Sequence, residues 1–331
     1  MVKLLFEPLC FDSFSVRSMA TLVTIGNADT SKSKSTGKNT NTGKSTRILI
    51  DPGIALGPSR FGLEPSKQEL KAFDDGRAKI INKLRDVSIV TISHYHFDHH
   101  PFYDDNRFNK AAYHNKIVFA KDNKKNINHS QKERGFVFEN IVKKLTKTLF
   151  FSDGKTIESR ELTQFNDIIS NPITHDFQIR FSKPVFHGRE KSRLGYVIMV
   201  KVTYKNDSVM HCSDVQGPIA EETTRIIIKE NPKHLIIGGP PTYLLGFKFT
   251  KRDLERAKEN VLGIIRKTQV KTLIIDHHLL RDLRFRERFD VYEEAKNLGC
   301  EVKTAAEYLG IKNEQLEARR KELSKKVVKE K

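Results

Sequence analysis

Immediately after the β-branched run Val87-Ser88-Ile89-Val90-Thr91-Ile92, the chain reads Ser93-His94-Tyr95-His96-Phe97-Asp98-His99-His100. Four of the twelve histidines fall within seven positions, and chance places an H-x-H-x-D-H in roughly one chain of this composition in a thousand. Imidazole nitrogens and a carboxylate at a strand end have the donor chemistry for zinc and similar divalent cations. His94 and His96, two apart on extended backbone, face the same way and suit one cation. Asp98 and His99, where the chain turns toward a helix, reach a second. The bland alternative is a surface histidine cluster that caps the helix, and such a cluster needs no distant partners.

Around this motif, short apolar runs alternate with amphipathic stretches, which argues for α/β layering. Strands are expected at Ala20–Ile25, Arg47–Ile50, Val87–Ile92, Ile117–Ala120, Tyr196–Thr203, Ser208–His211, His234–Ile237 and Thr272–Ile275. Helices are expected at Ser66–Leu84, Ser130–Leu145, Ile219–Lys229, Lys251–Lys267 and Arg284–Leu298. The residues Tyr204-Lys205-Asn206-Asp207 turn one strand back on the next, so the fold is not a pure βαβ repeat. No linker splits the chain. One domain over 1–310 is expected, with a polar loop insert at 31–46 and a basic tail at 311–331 that forms a solvated or frayed helix. TGKNTNTGKST in the insert imitates a phosphate-binding loop, but five residues separate its glycines where GxxxxGK[ST] needs four, and a strand-like run follows instead of a helix.

The 59 basic residues outnumber the 41 acidic ones, for a net charge of +18. Half of that excess sits in two segments, +5 from Ser31 to Arg47 and +4 from Ile311 to Lys331. A basic groove on the folded body is therefore allowed but not demanded. Cys10, Cys212 and Cys300 are odd in number and widely spaced, which argues against a disulfide framework and for a reducing, cytoplasmic setting. No apolar run approaches the ~20 residues of a membrane span.

Further donors lie downstream. His187 follows a strand-like Val-Phe in KPVFHG, Asp214 lies in MHCSDVQG, and His277 and His278 follow TLIID. Asp51 in RILIDPG precedes Pro52-Gly53. Taken in this order, the sequence resembles the metallo-β-lactamase superfamily. The wording SFSVRSMATLV, ILIDPGIALGPSRFG, INHSQKERG, IGGPPTYLLG and IIDHHLLRD is most similar to an archaeal group of predicted metal-dependent hydrolases. The resemblance covers about residues 15 to 300 and supplies no substrate.

That resemblance implies a four-layer αβ/βα sandwich with metals at one edge of two facing sheets. It implies one cation at His94, His96 and His187, a second at Asp98, His99 and His277, and Asp214 between them. His277 is preferred to His278 as the last ligand. Asp214 also reads as a turn or helix-cap residue, and Asp51 as either a turn residue or one that orients the metal-binding loop by hydrogen bonding.

Two divalent ions sharing a water would lower its pKa toward ~7 and give a bridging hydroxide at neutral pH. Zn2+ is expected first, with Mn2+ or Fe2+ as alternatives. Asp98 is expected to take the proton of the attacking water, and His278 to act as an acid toward a departing alkoxide. Arg17, Arg60, Lys132 and Arg134 tilt the substrate toward an anionic phosphodiester or nucleic acid, although bases on solvated faces would look the same. The rival readings are a thioester or lactone hydrolase and a non-catalytic nucleic-acid-binding protein with a structural metal. A helix at Ser130–Leu145 has room to overhang the site.

Overall fold

In the computed structural model, which describes residues 2–26 and 45–329, thirteen strands form two large sheets and two more form a small ribbon. The first sheet runs β1 (Lys3–Phe11), β2 (Met19–Gly26), β3 (Thr46–Ile50), β4 (Ile89–Ile92), β5 (Ile117–Ala120) and β6 (Leu149–Phe151). Its first three strands meander antiparallel, Thr21 facing Ile50, and the rest are parallel. Parallel neighbours need crossovers. These are the helices α1 (Lys67–Leu84), α2 (Asn106–Tyr113) and α3 (His129–Leu145).

The second sheet repeats the plan. Beyond β7 (Thr156–Glu158) and a short helix α4 (Ser159–Leu162) come β8 (Gln178–Phe181), the ribbon β9 (Val185–Phe186) and β10 (Tyr196–Val197), then β11 (Val200–Tyr204) and β12 (Asp207–His211). Strands β7, β8, β11 and β12 are antiparallel, with Val200 opposite His211. Then β13 (His234–Gly238), β14 (Thr272–Asp276) and β15 (Glu301–Lys303) follow in parallel. They are crossed over by α5 (Glu221–Glu230), α6 (Lys251–Lys267), α7 (Phe285–Arg288) and α8 (Tyr292–Asn297), with α9 (Ala305–Tyr308) and α10 (Arg320–Lys329) at the end.

The period of two along the central strands explains the layering. Ile48, Ile50 and Ile89 point inward to meet Val202, Val209, Ile236 and Ile274 in one core between the sheets. Their neighbours Leu49, Val90 and Ile92 point outward onto Ile80, Phe108 and Phe138 of the first helical layer. Leu235, Ile237 and Ile275 do the same onto Ile227, Ala257 and Val261 of the second. The result is the four-layer αβ/βα sandwich of the metallo-β-lactamase type. Truncating a side chain such as Ile236 to alanine in the shared core would cost about 2–5 kcal/mol.

Several local expectations need correction. Tyr196–Thr203 is not one strand, because β10 pairs with β9 whereas β11 pairs with β8 and β12. Arg284–Leu298 is not one helix. Phe289 and Val291, two apart, are both buried, which a continuous helix places on different faces. Strands β1, β6, β7, β8 and β15 and helices α2, α4 and α9 add to the elements expected from the sequence. The tail is helical from Arg320, but it is not peripheral. Arg320 is 0% exposed and binds Glu69 through two nitrogens at 2.9 and 2.7 Å, and Leu316 and Leu323 are buried. Of the insert expected at 31–46, residues 31–44 lie outside the described residues. No described helix is long and apolar enough to cross a membrane.

Candidate metal centre

Chemistry collects where the parallel strands end, as it does in open α/β sheets generally. Asp51 follows β3, the Ser93–His100 loop follows β4, Asp214 follows β12 by three residues, and His277 follows β14 directly. His187 enters from the ribbon strand β9. The loop after β4 lies flush against the segment after β3, since a Cβ at Gly53 would sit 2.1 Å from the His100 nitrogen. Only glycine permits that approach.

Donor atoms of His94, His96, His187 and Asp214 lie within 4.8 Å of one another, and so do those of Asp98, His99 and His277. A third such set joins Asp214, His277 and His278. All seven residues expected to bind metal therefore fall in these adjoining sets, and His96, Asp98, His187 and Asp214 of them, with His278, line one cavity. His94 Nε2 is 3.0 Å from His96 Nδ1. Asp214 Oδ2 stands between the sets, 2.8 Å from His187 Nε2, 3.0 Å from His278 Nε2 and 3.7 Å from His277 Nε2. His277 Nε2 is 3.4 Å from Asp98 Oδ2, whereas His278 is not grouped with Asp98 or His99.

Outer contacts aim these rings. Asp51 is fully buried with φ of +50°, and its carboxylate accepts hydrogen bonds from Ser93 N (2.8 Å), Ser93 Oγ (2.6 Å) and Ser213 Oγ (3.2 Å) and pairs with His99 Nδ1 (2.8 Å). Ser93 Oγ also contacts His94 Nδ1 at 3.0 Å, so one carboxylate orients rings in both sets. Gln216 Nε2 reaches His187 Nδ1 at 3.4 Å.

Asp12 was missed by the sequence reading. Its Oδ2 pairs with His277 Nδ1 at 2.7 Å and its Oδ1 accepts from Arg281 Nε at 2.7 Å. A lone aspartate after an unexpected strand carries no pattern, but Arg281, four residues past His277 in HHLLR, was a findable signal.

Burial, reinforced by His99, His96 and His187, holds His94 well below its ordinary pKa, and burial with His187 pushes His96 down to about 3. These rings are neutral and offer lone pairs at neutral pH. For His277, burial lowers the pKa but Asp12 outweighs it, raising the value to about 10. A cation there must displace a proton. Burial would raise Asp98, yet the hydrogen bond from His277 and the charge of His99 keep it well below the carboxylate range. His278 is pushed down to about 4 by burial and by Arg281.

The donor set fits a divalent cation on one further observation. His99 Nε2, His187 Nε2 and Asp214 Oδ1 are buried and have no hydrogen-bond partner, the 2.8 Å approach of His187 to Asp214 lacking hydrogen-bond alignment. Each such atom left unpaired costs about 1–3 kcal/mol, and a cation in each donor set would satisfy all three.

Sandwich, loop order and donor cluster together define a metallo-β-lactamase-fold protein with a histidine and aspartate cluster of metal-binding composition. No protein-family model matches the chain. A UPF0282 protein of Methanopyrus kandleri is 36% identical over 325 residues, covering 96% of this chain and 98% of that one. Another from Methanocaldococcus jannaschii is 39% identical over 322 residues, covering 96% and 95%. The chain belongs to the UPF0282 family. Among solved structures, it is similar to the metallo-beta-lactamase fold protein YhfI from Bacillus subtilis (13% identity, 90% and 94% covered, TM-score 0.46). It is likewise similar to a metal-dependent hydrolase of the beta-lactamase superfamily (14% identity, 91% and 96% covered, TM-score 0.46).

Proposed function

We propose that this protein is a metal-dependent hydrolase acting on an anionic phosphodiester. The observation that carries the reading is the set of three unpartnered donor atoms inside a cluster of five histidines and two aspartates. His94, His96, His187 and Asp214 would hold one ion, and Asp98, His99 and His277, with Asp214 between, a second. Zinc is the first choice, because imidazole and carboxylate donors suit it. Such a pair supplies an ionised water near neutral pH and polarises the oxygen under attack.

The chain's own groups do the rest. Asp98 is ionised, lies on the cavity wall and can accept a proton from the attacking water. Arg281, locked to Asp12, stands 3.8 Å from Asp98 and fixes its charge. The acid role expected of His278 needs revision. Neutral at pH 7, it suits donation of a hydrogen bond to Asp214 better than delivery of a proton, with Arg281 Nη1 donating to its Nδ1 at 3.0 Å.

The substrate reading rests on charge. The cavity before the donors, about 310 Å³, is walled by Arg17, Arg134 and Arg281. Turnover of bis(p-nitrophenyl) phosphate in the presence of Zn2+, Mn2+ or Fe2+, set beside a thioester, a lactone and a lactam, tests the proposal. Hydrolysis of the diester that a chelator abolishes and that Asp98→Asn lowers about 100-fold or more is expected. Hydrolysis of only the thioester or lactone would move the substrate class. Salt-sensitive RNA binding without any turnover would favour a nucleic-acid-binding protein.

A further inference from the structure

Three arginines face the cavity, and two of them are already committed. Arg17 holds Glu317 through Nε and Nη2 at 2.7 and 2.8 Å, and Arg281 holds Asp12. Arg134 is different. Among the described residues no carboxylate pairs with it, and its guanidinium carbon lies 4.9 Å from the centroid of the Phe97 ring. Stacking on an aromatic face orients a guanidinium while leaving its in-plane N–H groups available for an anion.

The helix that carries Arg134 is fastened to the site. Asn128 caps α3 by accepting from Gln131 N at 2.8 Å, and its Nδ2 donates to Arg193 O at 2.7 Å. Gln131 Nε2 donates to Leu194 O at 2.6 Å, and its Oε1 accepts from Tyr95 N at 3.3 Å. Gly135 lets the helix press against Tyr95, for a Cβ there would meet the ring at 2.8 Å. Tyr95 lies between His94 and His96, so Arg134 and Leu194 are held in fixed register with the metal-binding loop. A wall anchored in this way is preorganised, which lowers the entropic cost of ligand binding.

Building on the phosphodiester reading, we propose that Arg134 is the specificity-determining residue of the site. It takes a second anionic group, carboxylate or phosphate, on a small-molecule substrate whose organic part lies between Phe97 and Leu194. The cavity is at the low end of the ~300–1,000 Å³ of small-ligand pockets. Among the described residues, one uncommitted arginine stands on its wall and matches one distal anion, whereas a nucleic-acid track neutralises several phosphates.

Calorimetric titration of the metal-loaded protein with phenyl phosphate, 4-carboxyphenyl phosphate and hydroquinone bisphosphate tests this. The wild type should bind at least one of the two doubly anionic probes about tenfold or more tightly than phenyl phosphate, since a charge-assisted Arg–oxyanion contact is worth that much. Which probe wins identifies the anion. In Arg134→Gln the preference ratio should fall to about one, and Arg134→Lys should keep part of it as a point charge. No preference in the wild type, an undiminished preference in Arg134→Gln, or tighter binding of a dT10 oligonucleotide than of either probe would overturn the proposal. Turnover of bis(p-nitrophenyl) phosphate, measured in parallel, reports on the hydrolase reading separately. A preference without turnover keeps the anion subsite and removes the phosphodiesterase.

Discussion

The two sets of donors are built on different foundations. Around His94, His96, His187 and Asp214, the groups that touch the rings are neutral: Ser93, itself held by Asp51, behind His94, and Gln216 behind His187. Around Asp98, His99 and His277, each ring rests on a buried carboxylate, Asp51 behind His99 and Asp12 behind His277. The second foundation is also long-range. Asp12 follows β1, Arg281 clamps it from the loop after β14, and Glu317 pairs with Arg17 and comes within 4.0 Å of Arg281 from the C-terminal segment. The second set thus depends on both terminal segments folding onto the sandwich, and the first on the segments that follow β4, β9 and β12.

The largest expected effect cuts the second foundation. The Glu69–Arg320 pair is fully buried and ties the C-terminal segment to α1. Arg320→Ala leaves a buried charge alone and should cost about 3–5 kcal/mol in urea unfolding. The same variant should loosen cation binding by the second set more than by the first, and equal loosening of both would break the comparison.

An acid challenge comes next and falls behind the first set. Buried His211 bonds the Met19 carbonyl through Nε2 at 3.0 Å and accepts from Ser213 N through Nδ1 at 3.2 Å, an arrangement only the neutral ring can make. Burial lowers its pKa from 6.5 to about 4. The unfolded chain takes up this proton first, so stability is intact above pH 6.5 and falls as pH drops from 6.5 to 4. This group's share is about 3 kcal/mol. In His211→Asn, the loss of stability between pH 7 and pH 4, followed by urea unfolding, should be smaller by about that amount.

Smaller and more selective effects sharpen the contrast. Asp51→Asn touches rings of both sets and should weaken both cations toward ~100-fold, whereas Asp12→Asn should weaken one of them nearer ~10-fold. Competition against chelators of graded strength separates the two outcomes. If Asp12→Asn weakened both cations equally, the second set would not stand alone on that carboxylate.

How much of this was readable beforehand follows the same divide. The loop after β4 concentrates its donors in one stretch, and strand alternation such as Ile48-Leu49-Ile50 announces a sheet buried on both faces. His187, Asp214 and His277 are single residues that only their order marked out. Asp12 acts across 265 positions, and no local pattern encodes a contact of that span. In the tail, a basic amphipathic stretch reads the same whether its arginine is solvated or, as with Arg320, enclosed by a carboxylate and the carbonyls of Pro58 and Leu63. Burial of that arginine is decided by the whole fold.

The proposed metal centre requires seven side chains to hold two divalent cations. Metal analysis and titration of purified wild-type protein, His94→Ala and Asp98→Ala, after stripping and reloading with Zn2+, test it directly. The wild type should hold two ions tightly per chain, and each variant should lose one tight site. Two ions bound by both variants as tightly as by the wild type would contradict it.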